Sequence, residues 1–239
     1  MPTALITGAS TGLGRALAAG LAARRWRLVI DARHADNLAA AVADLRRDAP
    51  ALDLTAIPGS VTDPGHRQAL AAAVGDGWLD LLVNNASQLG GSPQPPLAEL
   101  TGEVLRGILE VNTVAPLLLT QALLVPLRQA GGLVVNISSD AAVAHYPGWG
   151  GYAASKAALD HLTGTLAAEE PGIGWYAVDP GDMRTDLHQA AFPGEDISDR
   201  PLPDTVVPAF LDLVDRRPPS GRYRAADLLP PGPLPGTAR

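Results

Sequence analysis

Cysteine is absent from this chain of 239 residues. Neither a disulfide framework nor a thiolate metal site can be built from it. An excess of basic charge is lacking too: 18 Lys and Arg face 25 Asp and Glu, for a net charge of −7 and a pI near 5.1. That balance argues against nucleic acid or an anionic membrane surface as a partner. The histidines (His34, His66, His145, His161 and His188) show no metal-ligand spacing, so no metal site is expected. Long apolar runs are missing as well. The most apolar helical stretch, Ala115 to Leu127, is interrupted by Thr120, Gln121 and Pro126 and is too short to span a bilayer. Met1 leads straight into strand-like residues, leaving no room for a signal peptide. A cytoplasmic protein with no membrane or nucleic-acid partner is expected.

What is present is an alternation of strand and helix. Strands are expected at Ala4–Ile6, Arg27–Ala32, Leu52–Ile57, Leu79–Val83, Leu133–Ile137 and Gly174–Val178. Helical patterns fall between them at Arg15–Arg25, Ala35–Asp48, Pro64–Val74, about Thr101–Gln129 and Tyr152–Glu169, with Asp63 as N-cap before Pro64. This rhythm predicts an α/β fold, a single doubly wound Rossmann-like domain over residues 1–228 with a parallel sheet and helices on both faces. With 46% apolar residues and a mean hydropathy of +0.09, a sizeable core requires both faces to be covered. Two stretches break the rhythm. Met183 to Pro203 is polar and irregular, and residues 229–239 form a Pro/Gly-rich tail that is either disordered or laid along a neighbour.

The chemistry concentrates in Leu133 to Leu159. Tyr152 and Lys156 stand four apart at a helix start, so they share one face a single turn apart, and Ser139 closes the preceding strand. A phenol ordinarily ionises near pH 10, and a fixed positive charge beside it favours the phenolate. Tyrosine, ammonium and hydroxyl together can therefore move a proton at neutral pH. A second feature is the turn Thr7 to Gly14 between the first strand and first helix. Gly8, Gly12 and Gly14 there allow close backbone approach to a pyrophosphate at a helix N-terminus, although the spacing is G-x-x-x-G-x-G rather than G-x-G-x-x-G.

Thr7-Gly8-x-x-x-Gly12-x-Gly14, Asn84-Asn85-Ala86, Asn112, Ser139, Tyr152-x-x-x-Lys156 and Pro180-Gly181 occur in the order and spacing of one family. The chain resembles the short-chain dehydrogenase/reductase family from Thr3 to about Leu228. The resemblance implies Tyr152 as proton donor or base and Lys156 as the group that lowers its pKa and holds the nicotinamide ribose. It implies Ser139 as the group polarising the substrate oxygen, and Asn112 as holder of a water linking Lys156 to solvent. Cofactor contacts are implied for Gly8, Ser10, Thr11, Gly12, Leu13 and Gly14 in the turn, and for Asn85, Ala86 and Ser87. Ser60 and Val61, Pro180 and Gly181, and Met183 and Thr185 are implied as further contacts, together with Tyr152 and Lys156 themselves. Asn84 is expected to tie strands together.

Two positions depart from the family pattern. Ser87 replaces the usual glycine after Asn-Asn-Ala, and Ser60 replaces an acid that often meets adenine. His145, Tyr146 and Trp149 lie where the family's substrate pocket has a wall, open both to substrate contact and to loop packing. Met183 to Pro203 is expected to close over the substrate. The implied activity is NAD(P)(H)-dependent interconversion of a small-molecule carbonyl and an alcohol, acting as a reductase. A dinucleotide-binding regulator without catalysis and a non-redox family member stand as alternatives. At the end of the second strand, Asp31 suits the ribose 2′-OH of NAD, whereas Arg33 suits the 2′-phosphate of NADP. Counted from Gly14, Arg33 falls where NADP-specific members carry Arg, so NADP(H) is expected ahead of NAD(H). Apolar faces on the helices near Thr101 and Tyr152 imply a homodimer or homotetramer.

Overall fold

The computed structural model describes residues 1–75 and 77–228, so the tail at 229–239 lies outside the described residues. Its elements run β1 (Thr3–Ile6), α1 (Gly12–Ala23), β2 (Arg27–Ala32), α2 (Ala35–Asp48), β3 (Leu54–Pro58), α3 (Pro64–Val74) and β4 (Leu81–Asn84). Then follow α4 (Gly102–Leu109), a π turn (Glu110–Val114), α5 (Ala115–Ala122), α6 (Leu124–Ala130), β5 (Leu133–Ile137) and α7 (Gly150–Glu169). The described residues end with β6 (Gly174–Asp179), α8 (Asp186–Ala191), α9 (Val207–Arg216), β7 (Gly221–Arg224) and α10 (Ala225–Leu228).

Alternation of side chains decides the layering. Ala4 and Ile6 of β1, with Leu28 and Ile30 of β2, join a core beneath α1, α2 and α9 that also holds Leu17, Leu38, Phe210 and Leu213. Leu5 and Val29 point the other way, into a second core with Leu70 of α3, Leu119 of α5, Leu127 of α6 and Trp175 of β6. The seven strands form one sheet in the order β3-β2-β1-β4-β5-β6-β7, every neighbouring pair parallel. The doubly wound α/β fold expected from the sequence is therefore present. Strand order reverses between β1 and β4, and at that point a crevice opens beyond the carboxyl ends of the strands. The glycine-rich turn leaves β1 there, and Asn85-Ala86-Ser87 leaves β4 beside it.

Several elements differ from expectation. The helix expected over Thr101–Gln129 is divided. Its middle widens into the π turn around Asn112, and the α4–α5 unit meets α6 at a 64° bend. Pro126 has no N–H to offer the carbonyl of Ala122, where α5 ends. The irregular stretch Met183–Pro203 contains α8, six residues capped by the Thr185 hydroxyl, which accepts from His188 N at 3.1 Å. Strand β7 and helix α9 carried no expectation. β7 has only four residues, two of them arginine, and takes its extended form from pairing with β6. Asp63 does cap α3, accepting from Gly65 N at 3.0 Å.

Candidate active site

The glycine-rich turn is stitched to the end of β4. Thr7 Oγ1 accepts from the amides of Asn85 and Ala86 at 3.0 and 3.1 Å, and Asn85 Nδ2 donates to the carbonyls of Thr7 and Gly8 at 2.9 and 3.0 Å. Gly8 has a left-handed φ of +66°, and its amide donates to Asp31 Oδ1 at 2.7 Å. A Cβ on Gly14 would stand 2.5 Å from both Gly8 O and Asn85 Nδ2, so only glycine fits there. Gly14 thus lies under the turn and does not line the crevice. Asn84 is the expected tie between strands: its Nδ2 donates to Asn136 Oδ1 at 2.8 Å, joining β4 to β5.

The crevice has a volume of about 480 Å³. At one end Ser10, Thr11, Gly12 and Leu13 line it, with the exposed Arg33 and Ser60 and Val61 nearby in the chain's second and third strand ends. Asn85, Ala86 and Ser87 line it from β4, and Pro180, Gly181, Met183 and Thr185 from the segment after β6. A Cβ on Gly12 would touch Thr185 Cγ2 at 3.4 Å, so that segment already reaches the glycine turn. Ser139, Tyr152 and Lys156 line the other end. Of the expected site residues, only Gly14 and Asn112 lie behind the wall.

Helix α7 presents Tyr152 and Lys156, both buried, toward the end of β5. Lys156 Nζ donates to the carbonyl of Ile137 at 2.8 Å and lies 5.5 Å from the centre of the Tyr152 ring. Burial pulls this ammonium down to about 8. Burial also pushes the Tyr152 phenol up to about 12, and the neighbouring hydroxyls of Ser87 and then Ser139 only partly offset it. The lowering of the phenol pKa expected from Lys156 is thus not what the structure has. Desolvation of the phenolate outweighs the help available to it, which comes from the hydroxyls of Ser87 and Ser139.

Ser139 is anchored through its own turn: its Oγ donates to Asp140 Oδ1 at 3.1 Å and accepts from Ala141 N at 3.2 Å. Asn112 is fully enclosed in the π turn. Its Oδ1 accepts from Gln88 N at 2.9 Å and Ser87 Oγ at 3.2 Å, and its Nδ2 donates to Gln88 O at 2.9 Å and Ser155 Oγ at 3.0 Å. All four hydrogen-bonding positions of that amide are filled, so its side chain has no place left for the expected water. Instead it clamps the loop after β4 to α7. The helix widens at this clamp.

The structure also shows where Trp149, Tyr146 and Asp31 sit and adds His66 and Arg222 to the site's surroundings. Trp149 packs edge-on against Tyr152 with ring centres 5.7 Å apart, and it meets Phe192 at 5.9 Å. Tyr146 donates to Asp140 Oδ2 at 2.8 Å, so it belongs to the loop beside Ser139. Asp31 and His66 form a buried pair beneath the glycine turn at 2.9 Å. Arg222 of β7 reaches the backbone of Ser139. In the sequence Asp31 suits only a ribose contact, and nothing in a lone His or an arginine-rich tetrapeptide marks His66 and Arg222 as such partners.

A family model described as short chain dehydrogenase matches residues 2–196. The chain belongs to that family. Among its relatives, the short chain dehydrogenase asqE of Emericella nidulans is 40% identical over 177 residues, covering 70% of this chain and 64% of the relative. Sepiapterin reductase of Bos taurus is 34% identical over 199 residues, 78% of this chain and 74% of the relative. An alcohol dehydrogenase from the archaeon Thermococcus sibiricus, solved in complex with 5-hydroxy-NADP, superposes with a TM-score of 0.83 at 27% identity, over 94% of this chain and 95% of that one.

The residues of this short-chain dehydrogenase fit the dinucleotide that its family implies. Helix α1 opens with no side-chain cap and no acid in its first turn, leaving its amides for an anion. Gly8 and Gly12, both at positive φ, keep the wall above it bare of side chains. Ser138 Oγ and His188 Nε2 are buried without a partner among the described residues, and both residues line the same crevice.

Proposed function

We propose that this short-chain dehydrogenase is an NADP(H)-dependent reductase of a small-molecule ketone or aldehyde, with Tyr152 as general acid. The observation that carries the reading is the placement of a buried phenol, raised to about 12, beside the Ser139 hydroxyl at one end of a crevice that begins at the glycine turn. A phenol raised that far is protonated at neutral pH. It can therefore give its proton to a carbonyl oxygen during reduction.

Ser139 orients the carbonyl oxygen, and Tyr152 gives that oxygen its proton as negative charge develops there. Lys156, fixed by Ile137 O, holds ribose hydroxyls and places a positive charge beneath the phenol ring. The amides of α1 take the pyrophosphate, and Arg33 takes a 2′-phosphate at the adenosine end. A bound reduced nicotinamide supplies the hydride. Asn112 keeps the Ser87–Gln88 loop against α7. NADP(H) is favoured over NAD(H) because Arg33 is exposed on the crevice whereas both oxygens of Asp31 are engaged elsewhere. The complex of the Thermococcus sibiricus relative supports the same choice.

The same reading has the chain working in the cytoplasm as a homodimer or homotetramer, paired through the helices around α4–α5 and α7. Val114, at the end of the π turn, is exposed. Among the described residues no single helix is long and apolar enough to cross a membrane. The reading is tested by following loss of the reduced-nicotinamide absorbance with NADPH against a panel of ketones and aldehydes. Turnover of at least one carbonyl is expected. NADPH binding with no turnover across the panel would favour the regulator instead.

A further inference from the structure

Asp31 is the acid at the end of β2, where a carboxylate facing the crevice would select a ribose hydroxyl and repel a phosphate. Its carboxylate is 1% exposed and both oxygens are occupied: Oδ1 by Gly8 N at 2.7 Å and Oδ2 by His66 Nε2 at 2.9 Å. A carboxylate only accepts, so the Nε2 atom of His66 is the donor. His66 comes from the first turn of α3, on the far side of β3's end, and is itself 6% exposed. It reaches Asp31 by lying flat against Gly59, where a Cβ would fall 2.3 Å from the imidazole Nδ1. The next residue, Arg67, locks this turn by donating to Val61 O at 2.7 Å. Arg33, two residues beyond Asp31, stays exposed on the crevice, and among the described residues no carboxylate pairs with it.

We propose that His66 is a positioning residue for cofactor choice: it holds Asp31 beneath the glycine turn, so that Arg33 alone meets the adenosine ribose and a 2′-phosphate is accepted there. The inference rests on the NADP(H) reading above and adds the residue that makes it workable despite an acid at the end of β2. Without His66, one carboxylate oxygen loses its partner and the side chain is free to swing toward the ribose. A like charge a few ångströms from a 2′-phosphate then costs about tenfold in its binding.

The test is calorimetric titration of the purified full chain with adenosine 2′,5′-bisphosphate and with AMP, which differ only in the 2′-phosphate. The wild type should bind the bisphosphate at least about tenfold more tightly. In His66→Leu that ratio should fall about tenfold, while Asp31→Asn, which removes the charge and can keep both contacts once the imidazole moves its proton to Nδ1 and accepts at Nε2, should leave it within about twofold. The double variant Asp31→Asn/His66→Leu should recover the wild-type ratio, a rescue that a merely structural role of His66 does not give. A wild-type ratio near one sinks the NADP(H) reading itself. A high wild-type ratio that His66→Leu leaves unchanged overturns only the role of His66. Should His66→Leu not fold, Asp31→Asn decides: an unchanged ratio upholds the placement, and a tenfold rise puts the carboxylate against the phosphate and overturns it.

Discussion

The guanidinium of Arg222 donates from Nη2 to the backbone carbonyl of Ser139 at 2.8 Å. Its Nε donates to Asp160 Oδ2 at 2.9 Å, one helical turn beyond Lys156, and Nη2 lies 3.7 Å from Asp179. An edge strand thereby braces the end of β5, the helix that carries Tyr152 and Lys156, and the end of β6. Arg222→Ala should lower kcat by roughly tenfold through a shifted Ser139, with a much smaller effect on NADPH affinity. It should also destabilise the fold, because the partly buried Asp160 is left without its cation. Asp160→Asn/Arg222→Ala should recover stability but not kcat. Thermal unfolding together with steady-state kinetics checks both, and unchanged kcat in Arg222→Ala would remove the bracing role.

Tyr152→Phe keeps the ring and its packing on Trp149 while deleting the acid. Turnover should drop by about 10²–10⁴, with far less change in NADPH binding. Ser87→Ala, which removes one hydroxyl beside the phenol and the bond to Asn112, should cost on the order of tenfold. If Ser87→Ala were as damaging as Tyr152→Phe, the proton would be coming from the serine.

Lys156 supplies a pH signature. Its ammonium is lowered from 10.5 to about 8 by burial, so the folded protein carries the desolvation cost below pH 8. Between pH 8 and 10.5 the unfolded chain holds the proton and the folded one does not. Stability contributed at this site therefore rises with pH across that window, by a total on the order of 3 kcal/mol. Unfolding free energies of wild type and Lys156→Met should differ by a constant below pH 8 and move in favour of the wild type up to pH 10.5. Carbonyl reduction should fall as pH rises through about 8, where the ammonium is lost. A difference that stays flat across the whole range would contradict the buried charge.

Arg33→Ala should reduce kcat/KM for NADPH by about one to two decades, the worth of a charge-assisted contact of roughly 1.5–3 kcal/mol, and leave NADH nearly unchanged. Measuring both cofactors on one carbonyl substrate decides it. Wild-type preference for NADH, or an indifferent variant, would return the choice to Asp31.

The segment from Met183 through α8 is the proposed lid. Thr185 already stands within reach of Gly12, and His188 and Met183 line the crevice. Hydrogen exchange should show protection gained over residues 183–203 when NADPH and a substrate analogue are added together. Full protection in the free protein would mean that the segment does not close.

The alternation of strand and helix determined the sheet, because the consecutive apolar residues of Ala4–Ile6 and Leu28–Ile30 put apolar side chains on both faces, and the intervening helical patterns cover them. It determined where the chemistry gathers as well: Tyr152 and Lys156 share a face by helix geometry, and Gly8, Gly12 and Gly14 open the first helix wherever the rest of the chain goes. Local signals ran out where an element owes its form to a neighbour. Strand β7 is extended because β6 offers it a ladder, and the Thr101–Gln129 helix widens where Asn112 reaches across to Gln88 and Ser155. Tertiary structure alone decided the charges. Burial, which no residue spacing encodes, raised the Tyr152 phenol instead of letting Lys156 lower it. A histidine 35 positions away turned Asp31 from a ribose ligand into a support for the glycine turn. Spacing along the chain places side chains on a face, but their protonation and their partners depend on what that face is packed against.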